Sequence, residues 1–300
     1  MKVLVTGSDG QVGHCLGREL QASSWESLLC NRAALDIVQR EQVRQVVLDF
    51  APDLIINAAA YTAVDKAESE PEAAHDVNAK GAENLAMAAT EAGAALFHIS
   101  TDYVFDGTLD AAYTESADVS PCGVYGLSKL EGEHAVRQHC PRNIIMRTSW
   151  VFCEHGANFV KTMMRLGGQG KRIRVVSDQY GGPTYAGDIA KALVVIGDKL
   201  EQATEQGGAD TFPWGLYHYS GMPYVSWFDF AQSVFAHASQ HALFASPELV
   251  AIPTEEYPTP AARPLNSRLS GENLFRHFGI RPSDWNAALG AINQYGVSNP

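Results

Sequence analysis

The chain has 300 residues, 46% of them hydrophobic, and a formal net charge of -12. Such a length buries a substantial core, as one large domain or a large one with a smaller partner, while the acidic balance argues against a nucleic-acid or anionic-membrane partner and leaves room for a local basic pocket. The first residues turn to glycine and polar side chains too soon for a secretory signal, no run approaches membrane-spanning length, and the five cysteines form no Cys-x-x-Cys pair, so a cytoplasmic location, free thiols and no metal are expected.

Residues 2–6 are a β-branched run, Gly7-Ser8-Asp9-Gly10-Gln11-Val12-Gly13 follows, and residues 14–21 set Leu16 and Leu20 on one face; this predicts strand, glycine turn and helix. Gly7 then permits the tight turn, Gly10 lets backbone N–H groups approach a pyrophosphate, and Gly13 lets the helix pack on the strand, with the ligand's charge on the helix N-terminus. The next apolar run, 27–30, ends in Asn31-Arg32. An acidic residue there would bind the ribose 2′-hydroxyl of NAD; the Arg32 guanidinium suits a 2′-phosphate and favours NADPH over NADH, unless Arg32 is a solvated loop residue. Asp36 and Ile37 follow where the chain can line an adenine pocket.

A helix over 41–50 precedes the strand Leu54-Ile55-Ile56-Asn57-Ala58-Ala59-Ala60, whose small residues let a dinucleotide approach the backbone or simply pack tightly. After the polar loop 61–68, helical periodicity runs from 71 to 91 and is closed by Gly93 as a C-cap. Residues 95–99 predict a fourth strand ending in Ser100-Thr101-Asp102-Tyr103. The Thr101 hydroxyl there either donates to a substrate carbonyl oxygen or merely ends a strand. Tyr125 and Lys129 stand at i and i+4 at the opening of the next helix. An ammonium beside a phenol lowers the phenol pKa and lets it exchange a proton with an alcohol or ketone. Tyr103 has no lysine one turn on, so Tyr125 is the better acid.

In the second half, 143–147 and 173–176 predict strands and 157–166 a helix; a glycine and proline loop, 178–184, leads into a helix over 187–200. Residues 201–210 are the most linker-like. A strand over 216–221 and a helix over 227–238 follow, Trp227, Phe228, Phe230 and Phe235 reading as core. The proline-rich stretch 253–264 should be extended, and Arg263 within it either clamps a diphosphate or sits at the surface.

Val5-Thr6-Gly7-Ser8-Asp9-Gly10-Gln11-Val12-Gly13, Asn57-Ala58-Ala59-Ala60, Ser100-Thr101-Asp102-Tyr103-Val104-Phe105-Asp106-Gly107 and Tyr125-Gly126-Leu127-Ser128-Lys129, in this order, resemble the extended short-chain dehydrogenase/reductase superfamily. Within it, Tyr61-Thr62-Ala63-Val64-Asp65-Lys66-Ala67-Glu68, Arg147-Thr148-Ser149-Trp150-Val151, Pro258-Thr259-Pro260-Ala261-Ala262-Arg263-Pro264 and Asn266-Ser267-Arg268-Leu269 are most similar to the dTDP-4-dehydrorhamnose reductase family. The resemblance implies an α/β fold: a doubly wound parallel (Rossmann) sheet binding NAD(P) over 1–150, and a smaller mixed α/β substrate-binding region over 151–300, interleaved with late elements of the sheet domain. It implies reduction of the C4 ketone of dTDP-4-dehydro-6-deoxy-L-mannose to dTDP-L-rhamnose with NADPH, or with NADH, in dTDP-rhamnose and surface-polysaccharide biosynthesis, by a monomer or homodimer.

Catalysis is then carried by Thr101, Tyr125 and Lys129, with Lys129 holding the nicotinamide ribose and depressing the phenol pKa. Cofactor contacts carried over from the family fall on Gly10, Gln11, Val12, Asp36, Ile37, Ala60, Tyr61 and Thr62, to which the residues themselves add Gly7, Gly13, Arg32, Tyr125 and Lys129; Asp102 and Trp150 match positions that meet the sugar, and Thr101 and Arg263 join them as candidate sugar-nucleotide contacts. Some members carry magnesium on carboxylates at a subunit contact. Cys15 and Gly187 stand at those places here, so no metal is expected and that dimer mode is not implied. Two alternatives stay open. One is an epimerase or 4,6-dehydratase of the same superfamily, the dehydratase disfavoured by Asp102-Tyr103 in place of Asp-Glu; the other is a non-catalytic dinucleotide-binding regulatory subunit, against which the intact Thr101, Tyr125 and Lys129 argue.

Overall fold

Apolar strands alternating with amphipathic helices can bury both faces of a sheet only if the helices cross over it, and that is the arrangement the chain adopts. A computed structural model describes residues 1–170 and 172–295. The first half runs β1 (Lys2–Thr6), α1 (Gln11–Gln21), β2 (Glu26–Cys30), α2 (Arg40–Phe50), β3 (Leu54–Asn57), the short helices α3 (Val64–Ala67) and α4 (Pro71–His75), a π-helical turn (Asp76–Lys80), α5 (Gly81–Ala92), β4 (Ala95–Thr101), a 3-10 turn (Asp102–Val104), α6 (Val124–His139) and β5 (Asn143–Thr148). The second half runs β6 (Val151–Phe152), α7 (Phe159–Gly167), β7 (Ile173–Val176), β8 (Tyr180–Gly181), β9 (Thr184–Tyr185), α8 (Ala186–Glu205), β10 (Gly215–His218), β11 (Val225–Ser226), α9 (Trp227–Gln240), β12 (Leu249–Ile252), β13 (Asn266–Ser267), α10 (Glu272–Phe278) and α11 (Trp285–Leu289).

Six strands form one parallel sheet in the order β10-β5-β4-β3-β1-β2. The order reverses between β1 and β3, so a crevice opens at their carboxyl ends, where the Gly7 turn and residues 58–61 face each other. Alternation along β1 sends Val3 and Val5 to a core shared with Leu16 of α1 and Ile189 and Leu193 of α8, and Leu4 to a core shared with Val43 of α2 and Leu85 of α5. A third apolar cluster, including Phe152, Met163, Phe230, Val234 and Trp285, builds the second half. There the strands pair in small sheets, β12-β7, β6-β9 and β11-β8-β13.

The main sequence-based elements are found in place; the loops expected over 61–68 and 178–184 contain α3 and the short strands β8 and β9, and three further stretches differ. The helix expected over 71–91 is broken by the π-helical turn, because Asn78 is buried there and bonded to two other segments. Gly93 does cap its end, in the left-handed conformation at φ 71°. The linker-like stretch from 201 begins as the last turn of α8, held down by buried Leu200 and by a 2.9 Å bond from Trp25 Nε1 to the Glu201 carboxylate. The stretch 253–264 is less extended than its prolines suggest, since it opens with a 3-10 turn, Thr254–Glu256.

Gly132 lets α6 lie against the π-helical turn: a Cβ there would stand 2.1 Å from the Asn78 carbonyl oxygen. Gly132→Ala should therefore destabilise the chain by about 1–3 kcal/mol, read as a shift of the urea midpoint at unchanged slope.

Candidate active site

The turn after β1 owes its shape to missing side chains. Gly7 is left-handed at φ 70° and a Cβ on it would meet the Ala59 nitrogen at 2.5 Å, while a Cβ on Gly13 would stand 2.1 Å from the Gly7 carbonyl oxygen. Gly10, by contrast, would meet only that oxygen, at 3.2 Å, so its outer side is open to a ligand. It also caps α1 without a side chain, which leaves the N–H groups of the first turn facing the crevice. A cavity of about 250 Å³ lies there, and Gly7, Gly10, Arg32, Asp36, Ile37, Ala60 and Tyr61 share its wall. Arg32 is exposed at the rim. Gln11, Val12, Gly13 and Thr62 are not in that wall: Val12 and Gly13 are buried under the sheet, Thr62 is exposed, and the Gln11 side chain turns to the later loop, where Asn158 Nδ2 donates to its oxygen at 2.9 Å.

Beyond the crevice, three groups meet where β4 ends against α6. The Tyr125 hydroxyl lies beside that of Thr101. Thr101 Oγ1 also donates to Asp102 Oδ1 at 3.0 Å and accepts from the Tyr103 amide at 3.2 Å. Lys129 is buried, and its Nζ donates to the Ile99 carbonyl at 2.6 Å. Burial pulls the Lys129 amine down to about 8, with the Glu133 carboxylate working against it. Burial also pushes the Tyr125 phenol well above its usual range, opposed by the neighbouring Thr101 hydroxyl and reinforced by the charges of Asp102 and Tyr103. The expected depression of the phenol pKa by Lys129 is thus corrected among the protein's own groups, since the amine is committed to Ile99 and burial dominates at Tyr125.

Asp102 is 3% exposed, its Oδ2 has no protein partner, and burial raises its carboxyl to about 6, opposed by the neighbouring Ser267 hydroxyl and by the Thr101 bond. The Tyr103 ring packs edge-on to that of Tyr125 at 5.4 Å. From Tyr103 a larger cavity, about 460 Å³, runs into the second half past Trp150, Trp227, Phe159, Asp65 and Arg263. Trp150 is left-handed at φ 50° and stacks on Trp227 with ring centres 3.6 Å apart. Thr101 and Asp102 lie behind this wall and not in it. Arg263 reaches it, but its guanidinium is paired with Asp65 at 2.7 Å and donates to the Tyr103 hydroxyl at 3.3 Å.

Three supporting contacts escape a reading of the sequence. Asn78 donates to Ser128 Oγ at 3.0 Å and accepts from the Tyr61 amide at 2.9 Å, tying the crevice wall to α6. Glu68 accepts from the Val124 amide at 2.9 Å and so closes the N-terminus of α6, whose cap residue Gly123 has no side chain. Glu133 pairs inside the protein with Arg147 at 2.7 Å. Only Glu133 had a local signal, its place one turn beyond Lys129.

Residues 1–296 match the family described as the RmlD substrate binding domain. The chain is 45% identical to the dTDP-4-dehydrorhamnose reductase of Aggregatibacter actinomycetemcomitans over 98% of its own length and 99% of that protein's. The chain belongs to the dTDP-4-dehydrorhamnose reductase family. Two solved dTDP-4-dehydrorhamnose reductases carry the same architecture. That of Clostridium acetobutylicum is 35% identical with a TM-score of 0.89, covering 97% of this chain and 98% of that one. That of Bacillus anthracis, solved in complex with NADP, is 38% identical with a TM-score of 0.86 and 97% coverage of both. Among the described residues no helix is long and apolar enough to cross a membrane.

A carboxyl whose folded pKa, about 6, lies above its unfolded value binds its proton more tightly in the native state. Stability contributed by the Asp102 proton is therefore present at pH 4 and lost as pH rises through 6. Relative to an Asp102→Asn variant, the parent should lose on the order of 1–3 kcal/mol across that window; urea titrations of both proteins from pH 4 to 7 measure it.

Proposed function

We propose that this chain reduces the C4 ketone of dTDP-4-dehydro-6-deoxy-L-mannose to dTDP-L-rhamnose with NADPH as the preferred coenzyme and NADH as the alternative. The observation that carries the reading is the meeting of Thr101, Tyr125 and Lys129 where β4 ends against α6, with Lys129 bonded to the Ile99 carbonyl at 2.6 Å and the Tyr125 hydroxyl beside that of Thr101. The residues present fit a dinucleotide: Gly10 leaves an open cradle, free N–H groups of α1 face it, and the exposed cation Arg32 stands at the rim in place of an acidic residue.

The nicotinamide cofactor, when bound, supplies the hydride to C4. Tyr125, kept protonated by burial, delivers its proton to the oxygen left on C4, and Thr101 holds that oxygen in line. Lys129 would hold the nicotinamide ribose hydroxyls with the ammonium hydrogens that the Ile99 carbonyl leaves free. Gly7, Gly10, Gln11, Val12 and Gly13 would receive the pyrophosphate, Arg32 the 2′-phosphate, Asp36 and Ile37 the adenosine, and Ala60, Tyr61 and Thr62 would flank the rest. Asp102 and Trp150 meet the sugar, and Arg263 exchanges the Asp65 carboxylate for the diphosphate. In this reading residues 1–150 bind the coenzyme and 151–300 the sugar nucleotide, the enzyme works in the cytoplasm as a monomer or homodimer, and neither nucleic acid nor membrane is a partner.

Tyr125→Phe should lower kcat by roughly 10²–10⁴-fold while leaving NADPH affinity within about threefold, measured by coenzyme absorbance with the 4-keto sugar nucleotide and by fluorescence titration. An unchanged kcat would remove Tyr125 from the chemistry. Arg32→Ala should weaken NADPH binding about tenfold and leave NADH binding as it was; equal losses for both coenzymes would refute the 2′-phosphate role.

A further inference from the structure

Tyr125, Lys129 and Glu133 stand at i, i+4 and i+8 and share one face of α6. Each meets a different one of three successive residues at the end of β4. Tyr125 sets its hydroxyl beside that of Thr101, Lys129 Nζ donates to the Ile99 carbonyl at 2.6 Å, and Ser100 Oγ donates to Glu133 Oε1 at 2.6 Å. Arg147, which lies opposite Ser100 in the β4-β5 register, completes the set: its Nε donates to Glu133 Oε1 at 2.8 Å and its Nη2 to Oε2 at 2.7 Å. The two side chains are 1% and 3% exposed, and the guanidinium also lies over the Phe105 ring, 5.0 Å from its centre.

We propose that Glu133 is a positioning residue of the reduction: clamped by Ser100 and Arg147, it fixes the register in which α6 presents Tyr125 to Thr101 and faces Lys129 with a carboxylate. The proposal rests on the roles given above to Tyr125 and Lys129. A buried ion pair is an expensive way to hold a helix, because apolar residues of the same volume hold it as well or better. What the bidentate pair adds is direction, since both bonds form in one geometry only. A slip of α6 by one residue is about 1.5 Å, enough to part the Tyr125 and Thr101 hydroxyls.

The carboxylate also has an electrostatic task. The groups that bear on this corner are His98 on β4, kept neutral by burial and by Lys129; Arg147 on β5; Glu115 and His218, which face Arg147; and Asp102 and Tyr103, which face Tyr125. His75 and Glu131 pair with each other on the half-exposed outer side of α6. Glu133 is the carboxylate set against Lys129. Without it, the amine that burial already holds near 8 falls further, and its charge is lost at a lower pH.

The test is a kcat–pH profile of the full-length enzyme with NADPH and the 4-keto sugar nucleotide, for the parent, Glu133→Gln, Glu133→Asp and Ser100→Ala. Glu133→Gln should lower kcat roughly 10- to 100-fold with KM and NADPH affinity within about threefold, and should move the alkaline limb of the profile down by about one pH unit or more. Glu133→Asp should restore the limb but only part of kcat. Ser100→Ala, which spares the ion pair, should lower kcat several-fold and leave the limb in place. A Glu133→Gln enzyme with parental kcat and limb overturns the proposal, as does one that loses only thermal stability. Should Glu133→Gln fail to fold, a parental kcat in Ser100→Ala overturns it. If Tyr125→Phe is inactive while the Glu133 variants are parental, the reductase reading stands and this inference falls; if the parent itself does not oxidise NADPH, both fall.

Discussion

An ammonium taken out of water must be bonded or give up its proton, and Lys129, at 2% exposure, answers with the carbonyl of Ile99. That requirement organises the site. A carbonyl at the edge of a strand has a fixed direction, so satisfying the amine fixes the rotation of α6 about its own axis. Tyr125 is carried along by the helix, one turn nearer the crevice. The residue that receives the phenol, Thr101, is two positions along β4 from the one that receives the amine. The alignment of Tyr125 with Thr101 follows from burying a charge next to a parallel strand.

The rest of the first half serves the same corner. The π-helical turn interrupts a helix that local propensity would have continued, and the interruption delivers Asn78 to Ser128 and to the Tyr61 backbone together. Gly132 and Gly126 let α6 approach backbone on either side, at Asn78 and at Tyr103, where a Cβ would come within 2.1 Å of a carbonyl oxygen. The same helix is therefore pinned at its start by Glu68, along its length by Asn78 and Ile99, and beyond by Arg147.

Much of this was legible in the sequence wherever the cause is local. A β-branched run, a glycine turn and an amphipathic helix mark β1 and α1; Gly93 marks a helix end; Tyr125 and Lys129 share a face because the helical period puts them there. The Gly7, Asp36 and Ala60 segments, read from a glycine turn, the stretch after the second apolar run and a strand ending in small residues, share the wall of one crevice. What the sequence did not disclose depends on partners distant along the chain. Nothing near Asn78 announces that it breaks a helix, and nothing near Arg263 announces that Asp65 has taken its guanidinium. The Tyr125 pKa was misread for the same reason: spacing shows that an amine is near, but not that burial outweighs it or that the amine points to another carbonyl. The boundary near residue 200 was misread because Trp25, far back in the chain, caps the polar end of α8.

The sheet's last strand comes late. β10 pairs with β5, and α8 covers α1, yet both are encoded after residue 185. On the ribosome, the glycine turn and the Tyr125 helix emerge long before the elements that close the sheet's edge and roof its first crossover. Until residue 218 is out, β5 offers an unpaired row of amides and carbonyls to whatever strand is at hand, and the nascent chain must be shielded or fold quickly to avoid sticking to its neighbours on the polysome.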